Sequence, residues 1–229
     1  MKGRRNALAC TCFALYFALC LATRLTMRVQ TTMAAGMFDA LDDVQRDWMG
    51  RLARAARDRK CVLHAPVVIS APADARVMVL RAFDQAGAVL RFHTDARAPK
   101  VAAIADDPRM GVLFYDKSAK VQIRVRGTGR IEAAGPVADE AWLASTNFAR
   151  RCYLGEGPGG VSQGPTSGLP AQFEGVEPDE EQLIPARENF AVLLIDVAEV
   201  DWLYLAHTGH VRAQFTRAGE SWEGRWVTP

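Results

Sequence analysis

The chain has 229 residues, of which 49% are hydrophobic and 24% are charged, and its formal net charge is +2. This length is enough for one substantial hydrophobic core, and the composition is typical of a soluble globular protein. A net charge so close to zero gives no general argument for a nucleic-acid partner, and none is expected. Arginines outnumber lysines and cluster locally, which favours a phosphate or carboxylate ligand at one place.

The five cysteines predict neither a disulfide framework nor a metal site. Cys10, Cys12 and Cys20 lie in one apolar N-terminal stretch, and only Cys61 and Cys152 belong to the globular part. Those two are too far apart in sequence to form a chelating pair, and the histidines do not cluster with them. Two reduced thiols and no metal are therefore expected.

Residues 1–36 form an N-terminal extension that is considered separately from the domain at 37–229. Basic residues precede an apolar run at 7–22, which resembles a signal peptide or a short membrane anchor. A third interpretation is a mis-assigned start, because the recognisable protein begins near Met37. A cytoplasmic protein is expected, with export or membrane anchoring through 7–22 as the alternative. A membrane partner is expected only if this segment is real.

The elements begin with an amphipathic helix at 38–55, predicted from apolar residues at three- and four-residue spacing. A strand at 67–69, a turn at 72–74 and a strand at 76–83 follow. A hairpin turn at 84–87 leads into a returning strand at 88–93. Pro99 predicts the first turn of a helix that ends at the Asp107-Pro108 break.

The second half of the chain is predicted to be rich in strands. Strands are expected at 110–115 and 121–132, and in the latter Ile123 and Val125 face opposite to Gln122 and Arg124. A helix at 142–153 and a long loop at 155–175 precede strands at 190–197, 202–205, 211–216 and 222–227. Many short antiparallel strands with helices at their edges predict an α+β protein, mainly β, built as a small β-barrel.

A few polar residues occur where a sheet protein can bind a ligand. Arg76 and Arg81 flank one predicted strand, and their odd separation puts them on opposite faces unless a bulge intervenes. Thr94 and Lys100 bracket the turn into a helix, where a hydroxyl, backbone N–H groups and an ammonium can surround a phosphate. Gln122 can both donate to and accept from the edge of a heterocycle. Taken singly, each is more commonly a surface side chain or a helix cap.

Six stretches keep a recognisable order and spacing: RVMVLR at 76–81, FHTD at 92–95, Lys100, DPR at 107–109, LFY at 113–115 and QIRVRG at 122–127. Together they resemble the flavin-binding core of the pyridoxamine 5'-phosphate oxidase family. The resemblance covers roughly residues 37–229. It implies a split β-barrel with peripheral helices, and a homodimer with FMN at its interface. The version found here is closer to the family's FMN-binding bacterial and cyanobacterial branch than to the biosynthetic oxidase.

The resemblance implies the following FMN-binding residues: Arg76, Val77, Met78, Val79, Leu80, Arg81, His93, Thr94, Lys100 and Gln122. Arg76, Thr94 and Lys100 are expected at the phosphate and ribityl end. Arg81, which replaces a lysine of the family, and the backbone of 77–80 are expected near the flavin ring. Pro99 replaces a phosphate-binding arginine, and Arg97 is expected to compensate for it.

The substrate half departs from the family pattern. His210-Val211-Arg212 stands where the family has Arg-x-His, and Gln214 replaces a flavin-contacting arginine. The implied substrate-binding residues are Arg150, His210 and Arg212, and no protein catalytic residue is required because the flavin carries the chemistry. The resemblance leaves two functions open. The first is an FMN-dependent oxidoreductase whose small-molecule substrate is unassigned, with pyridoxamine or pyridoxine 5'-phosphate among the candidates. The second is a non-catalytic FMN-binding or flavin-storage protein.

Overall fold

The computed structural model describes residues 38–229 of the chain. The predicted segment at 7–22 lies outside these residues. Within the described range, no helix combines the length and the apolar character needed to cross a membrane.

The protein is mainly β, with a few short helices at the edges of one sheet, as the sequence predicts. The helices are α1 (Leu41–Arg57), α2 (Pro99–Asp106), α3 (Pro136–Leu143) and α4 (Asn147–Arg150). The strands are β1 (Val67–Ser70), β2 (Asp74–Val77), β3 (Leu80–Asp84), β4 (Val89–Asp95), β5 (Arg109–Asp116), β6 (Val121–Glu132), β7 (Phe190–Tyr204), β8 (Val211–Ala218) and β9 (Ser221–Trp226). Short 3-10 helices lie at Val62–His64, Arg151–Leu154, Ala171–Phe173 and Ile184–Asn189.

The sheet curls into a half-barrel because its two ends are joined by a very short connection. The strand order is β2-β1-β5-β6-β7-β4-β3, with β8 added to β7 and β9 added to β8. In a flat sheet, β2 and β3 would be about 29 Å apart, at about 4.8 Å per strand. Only Met78 and Val79 separate them in the chain, and three Cα steps span at most about 11 Å. The two ends of the strand path must therefore meet.

The main core fills the inner face of this curled sheet. Ile123 and Val125 of β6 lie opposite Trp202 and Val200 of β7, and all four are buried. Helix α1 closes the core through its apolar face, which includes the fully buried Trp48. The burial of alternate β6 residues confirms the predicted two faces of this strand.

A smaller core covers part of the outer face. Trp142 of α3 and Leu183 pack with Phe190, Val192 and Leu194 of β7. This layer packs α3 against the outer side of β7. A pocket lies between α3, α4 and the C-terminal end of α1.

The predicted strand at 76–83 is wrong in one respect, because it breaks at Met78 and Val79. Its first half pairs with β1 and its second half with β4. Arg76 and Arg81 therefore belong to different strands, and the register between β3 and β4 shifts around Arg81. A continuous apolar run gives no sign of such a change of partner, because pairing is set by residues distant in sequence.

Two other element predictions need correction. The helix predicted at 142–153 is replaced by the end of α3, the separate helix α4 and a 3-10 helix. Thr146 causes the interruption, because its extended backbone and its side chain, which accepts from the N–H of Ala149, cap a new helix. The strands predicted at 190–197 and 202–205 form one strand, β7, whose pairing with β6 shifts register at Gly127.

Gly127 provides a stability test of this register shift. A Cβ at this position would overlap the carbonyl oxygen of Asp196 and lie 2.9 Å from its carbonyl carbon. Because the obstacle is backbone, we expect Gly127→Ala to lower the free energy of unfolding by about 2 kcal/mol or more in urea titrations. Gly50→Ala is the matched control, since nothing lies within 4 Å of a Cβ there. In helix α1 it should instead stabilise by about 0.5–1 kcal/mol. Equal effects at both positions would contradict the predicted overlap.

Candidate FMN site

Arg76 forms the centre of a basic cluster at the open edge of β2. Its two terminal nitrogens each donate to the hydroxyl of Ser70 at 3.0 Å, and it forms an ion pair with Asp74. Ser70 is buried at the end of β1, so the guanidinium is held against the edge of the barrel. Its partners leave it partly exposed, and it can accept a further anionic ligand.

Lys100 lies in the first turn of α2 and is half-buried beside Arg76. Burial and the positive charge of Arg76 lower the pKa of the Lys100 ammonium, against the opposing effects of Asp95 and Asp74. Two cations held this close repel one another, and an anion placed between them removes the repulsion. Thr94 is buried at the end of β4, where its hydroxyl donates to the carbonyl of Asp95 at 3.3 Å. Arg76, Ser70 and Lys100 are called the basic cradle below. Their chemistry fits a phosphate group.

Arg97, which is expected to compensate for Pro99, has partners within the chain. Its Nε and one terminal nitrogen donate to the two carboxylate oxygens of Asp95 at 3.0 and 2.7 Å. The same terminal nitrogen donates to the carbonyl of Gly155 at 3.0 Å. Arg97 therefore ties the long loop to the start of α2, and its charge is neutralised by Asp95.

The segment from Val77 to Arg81 crosses the seam between the two ends of the sheet. Val77 is 65% exposed, whereas Met78 and Leu80 are buried and anchor the crossing in the core. The N–H of Met78 donates to the carbonyl of Pro66 at 3.1 Å. Val79 is half-buried, and the side chain of Arg81 is exposed beyond it. The backbone here is thus fixed at a surface that a planar ligand can approach.

His93 is a neutral group on the outer face of β4. Burial, together with the positive charges of Arg81 and Arg91, lowers its pKa to about 4. Its ring packs edge-on against Phe190 at 5.0 Å between centroids, and its Nε2 is buried without a hydrogen-bond partner among residues 38–229. It is uncharged at neutral pH, so it is available as a neutral hydrogen-bonding group.

Gln122 is not brought together with Arg76. Arg76 shares a cross-strand row with the buried Val125 through β1 and β5, so both belong to the inner face. Gln122 is three residues from Val125 on the same strand and therefore faces outward. Its own row contains Leu203 and Arg212. The predicted cofactor residues thus fall into two groups on opposite faces of the sheet.

Asp201 organises the outer group, and the sequence analysis missed it. It accepts hydrogen bonds from Arg212 at 3.0 and 2.7 Å, from Arg124 at 2.7 Å and from Gln214 at 2.9 Å. Burial alone would raise the pKa of Asp201, but these hydrogen bonds outweigh it and hold the pKa below its ordinary value. One carboxylate therefore orients two arginines and a glutamine. The available signal was a single acidic residue between Val200 and Trp202.

The three residues predicted to bind substrate have different surroundings. Arg150 is buried, and its guanidinium donates to the carbonyls of Trp142 and Leu143 and to the carboxylate of Glu180, at 2.8–3.0 Å. These bonds tie α3 and α4 to the following loop, which indicates a structural role. His210 is exposed in the turn between β7 and β8. Of the three predicted substrate residues, only Arg212 shares a row with Gln122.

Comparison with known proteins connects this geometry to flavin chemistry. Residues 54–133 match the family model described as pyridoxamine 5'-phosphate oxidase, FMN-binding domain. The chain is 38% identical over 91 residues to a pyridoxine/pyridoxamine 5'-phosphate oxidase of Kineococcus radiotolerans, and 28% identical over 130 residues to one of Bradyrhizobium diazoefficiens. These alignments cover 38% and 55% of this chain and span only 39% and 57% of the two relatives.

Two solved structures share the fold. A pyridoxamine 5'-phosphate oxidase-related, FMN binding protein from Nostoc punctiforme superposes with a TM-score of 0.62 at 21% identity, over 80% of this chain and 97% of that protein. PhzG from Burkholderia lata, solved with tetrahydrophenazine-1-carboxylic acid, gives a TM-score of 0.58 at 14% identity, over 81% and 91% of the two chains. The curled sheet described above is therefore a split barrel, as the resemblance implied.

Replacement of Asp201 by Asn tests the outer network. We expect Asp201→Asn to lower the free energy of unfolding by about 1.5–3 kcal/mol at pH 7, because charge-assisted bonds to two arginines are lost. Because the pKa is depressed in the folded protein, this stabilisation is present above the ordinary value of 3.8 and disappears as the pH falls through the folded pKa. The difference in the free energy of unfolding between wild type and Asp201→Asn should therefore become smaller at acidic pH.

Glu199→Gln is the matched control for Asp201→Asn in urea titrations. Glu199 pairs with Arg126 on the same face, but both side chains are largely exposed. Such pairs contribute about 0–1 kcal/mol. An equal loss of stability in the two variants, or a difference that does not change with pH, would show that Asp201 is no more than an ordinary surface charge.

Proposed function

We propose that the protein is an FMN-dependent oxidoreductase acting on a small molecule, because residues 54–133 match the family model of the pyridoxamine 5'-phosphate oxidase FMN-binding domain. The observation that carries the proposal is the basic cradle. Arg76 donates to the buried hydroxyl of Ser70 at the edge of the barrel, and the positive charge of Arg76 lowers the pKa of the Lys100 ammonium. An anionic phosphate is the ligand that best balances them.

The proposal assigns the phosphate of FMN to the cradle and the isoalloxazine ring to the neighbouring surface. Arg76, Lys100 and Thr94 would hold the phosphate and ribityl end. The exposed Val77 and the fixed backbone up to Leu80 would face the ring, with Arg81 nearby. A cation beside the pyrimidine part of the ring favours the reduced, anionic form of a flavin, so Arg81 would affect redox potential as well as affinity.

The position of Gln122 supports a shared site in a homodimer. Gln122 and Arg76 lie on opposite faces of the sheet with two strands between their own. A flavin held by the cradle of one protomer would meet the outer row of Gln122 and Arg212 more readily on a second copy of the chain. We therefore propose a homodimer in which each FMN is bound between the two protomers.

FMN, when bound, supplies the hydride and electron chemistry. The chain's own residues bind and orient: Gln122 offers an amide to the heterocycle, and Arg212, held in place by Asp201, offers a guanidinium to an anionic substrate. The names of the curated relatives favour pyridoxamine or pyridoxine 5'-phosphate as the first substrates to test.

A non-catalytic FMN-binding or flavin-storage protein is the second candidate, and one observation favours it. Arg150 is buried and bonded within α3, α4 and the loop after them. Arg212 is already paired with Asp201. Of the three residues predicted for substrate binding, two thus have partners within the chain, which would make substrate binding weaker than cofactor binding.

Arg76→Ala tests the cradle. We expect FMN affinity to fall by the equivalent of about 1.5–3 kcal/mol, because a charge-assisted contact to the phosphate is lost. Fluorescence titration of added FMN measures this, and native mass spectrometry of the same sample reports subunits and flavins per particle. Arg109→Ala is the control, because that side chain is 86% exposed and pairs with Asp107. Unchanged affinity in Arg76→Ala, or a fully loaded monomer, would refute the phosphate role or the shared site respectively.

A donor screen separates the oxidoreductase from the storage protein. FMN-loaded protein is mixed anaerobically with pyridoxamine 5'-phosphate, pyridoxine 5'-phosphate or a reduced nicotinamide, and loss of flavin absorbance near 450 nm is followed before air is admitted. We expect at least one donor to bleach the flavin and air to restore it. Arg212→Ala should keep the flavin and slow bleaching, whereas Arg126→Ala on the same face should not. A flavin that no donor reduces would favour storage.

A further inference from the structure

Ser70 is a buried polar side chain whose hydrogen bonds all run in one direction. It is the last residue of β1 and is 2% exposed. Both terminal nitrogens of Arg76 donate to its hydroxyl oxygen, each at 3.0 Å. A serine hydroxyl has two acceptor lone pairs and one O–H donor. Arg76 therefore occupies both acceptor positions, and the hydroxyl proton has to be directed to a different group.

The part of the chain at 38–229 supplies no acceptor for this proton. Asp74, the cross-strand partner of Ser70, directs its carboxylate to Arg76 instead. Thr94, the other buried hydroxyl residue of the predicted phosphate end, differs from Ser70, because its hydroxyl donates to the carbonyl of Asp95 at 3.3 Å. A buried donor left unpaired costs about 1–3 kcal/mol, so an external acceptor at Ser70 would be stabilising.

The charges around Ser70 indicate what kind of acceptor fits there. Burial and the positive charge of Arg76 lower the pKa of Lys100, so a second cation lies within electrostatic reach of the guanidinium. The contacts of Arg76 with Ser70 and Asp74 leave further N–H donors of the guanidinium unused. A neutral carbonyl or hydroxyl would accept the proton of Ser70 but would not balance the cations. A phosphate oxygen both accepts hydrogen bonds and carries negative charge.

We infer that Ser70 is a direct ligand of the FMN phosphate, and that this contact helps the site to select FMN over riboflavin, which lacks the phosphate. The inference rests on the proposed function, since it takes FMN as the ligand of the basic cradle. Ser70 accepts from Arg76 and donates to a phosphate oxygen, so the guanidinium and the hydroxyl bind one anion and orient each other. The sequence gave no sign of this role, because a serine between a strand and a turn is common.

Titration of the full-length protein with FMN and with riboflavin, followed by flavin fluorescence, tests the contact. We expect Ser70→Ala to weaken FMN binding at least about tenfold, as the loss of one charge-assisted hydrogen bond implies, and to change riboflavin binding little. Ser70→Thr retains a hydroxyl and should keep most of the FMN affinity. Ser221→Ala is the control, since that hydroxyl donates to the carbonyl of Ala218 at 2.9 Å, in the turn between β8 and β9. Its FMN affinity should equal that of wild type.

A double variant distinguishes a direct ligand from a residue that merely orients Arg76. If Ser70 acted through Arg76 alone, its removal from the Arg76→Ala protein would have no further effect on FMN affinity. We expect Arg76→Ala/Ser70→Ala to bind FMN more weakly than Arg76→Ala, because the hydroxyl donates to the phosphate itself. Riboflavin affinity should again be similar in the two proteins.

Three results would overturn the inference. Unchanged FMN affinity in Ser70→Ala would exclude the contact, and equal weakening of FMN and riboflavin binding would indicate a general effect on the fold. Equal FMN affinity in Arg76→Ala and the double variant would leave Ser70 an orienting role alone. If Ser70→Ala does not fold, Ser70→Cys replaces it and should show the same loss, because a thiol is a weak donor.

The proposed function can fail separately from this inference. If the affinities follow the expected pattern but no donor reduces the bound flavin, the oxidoreductase proposal is refuted and the role of Ser70 stands. If wild type binds FMN normally and Ser70→Ala does as well, the inference is refuted and the proposed function stands. A wild-type protein that binds no FMN would refute both.

Discussion

The connection of two residues between β2 and β3 is the constraint on which the rest of the structure depends. It joins the ends of a seven-strand path, so the sheet has to curl until those ends meet. Met78 and Leu80 bury their side chains at this seam, which fixes the crossing in the core. Arg76 lies just before the seam and Arg81 just after it, so the closure of the barrel also determines where the cations are presented.

The sheet separates two chemical environments. Its inner face is apolar and ends at the cradle of Arg76 and Lys100, where cations lie close together at an open edge. Its outer face carries arginines held by Asp201, a carboxylate that offsets their charge and fixes their geometry. A ligand with an anionic end and a planar end needs both kinds of surface, and one protomer presents them on opposite sides. This arrangement is the physical basis for proposing a dimer.

The pattern of apolar and polar residues along the sequence predicted the features that depend on neighbouring residues, such as the bounds and faces of a strand. Strand β6 was predicted with its observed bounds because alternation along 121–132 reports directly which side chains are buried. The break at Met78 and Val79 could not be predicted, since both halves of that run are apolar and only their distant partners differ. The role of Arg150 was hidden for the same reason: its carboxylate partner Glu180 lies 30 residues away, in a segment without periodicity.

Two arginines that the sequence suggested for ligand binding have structural partners in this protein. Arg150 and Arg97 lie near the expected site, yet both are bonded to carboxylates and carbonyls of the chain, and these bonds stabilise the fold. Arg57 drew no attention in the sequence, because an arginine in the last turn of an amphipathic helix ordinarily complements its dipole, and Arg59 follows two residues after the helix ends. The tertiary structure places them in a pocket without carboxylates. A guanidinium that the fold leaves without a counter-charge retains its capacity to bind an external anion, and that capacity cannot be read from residue type or spacing.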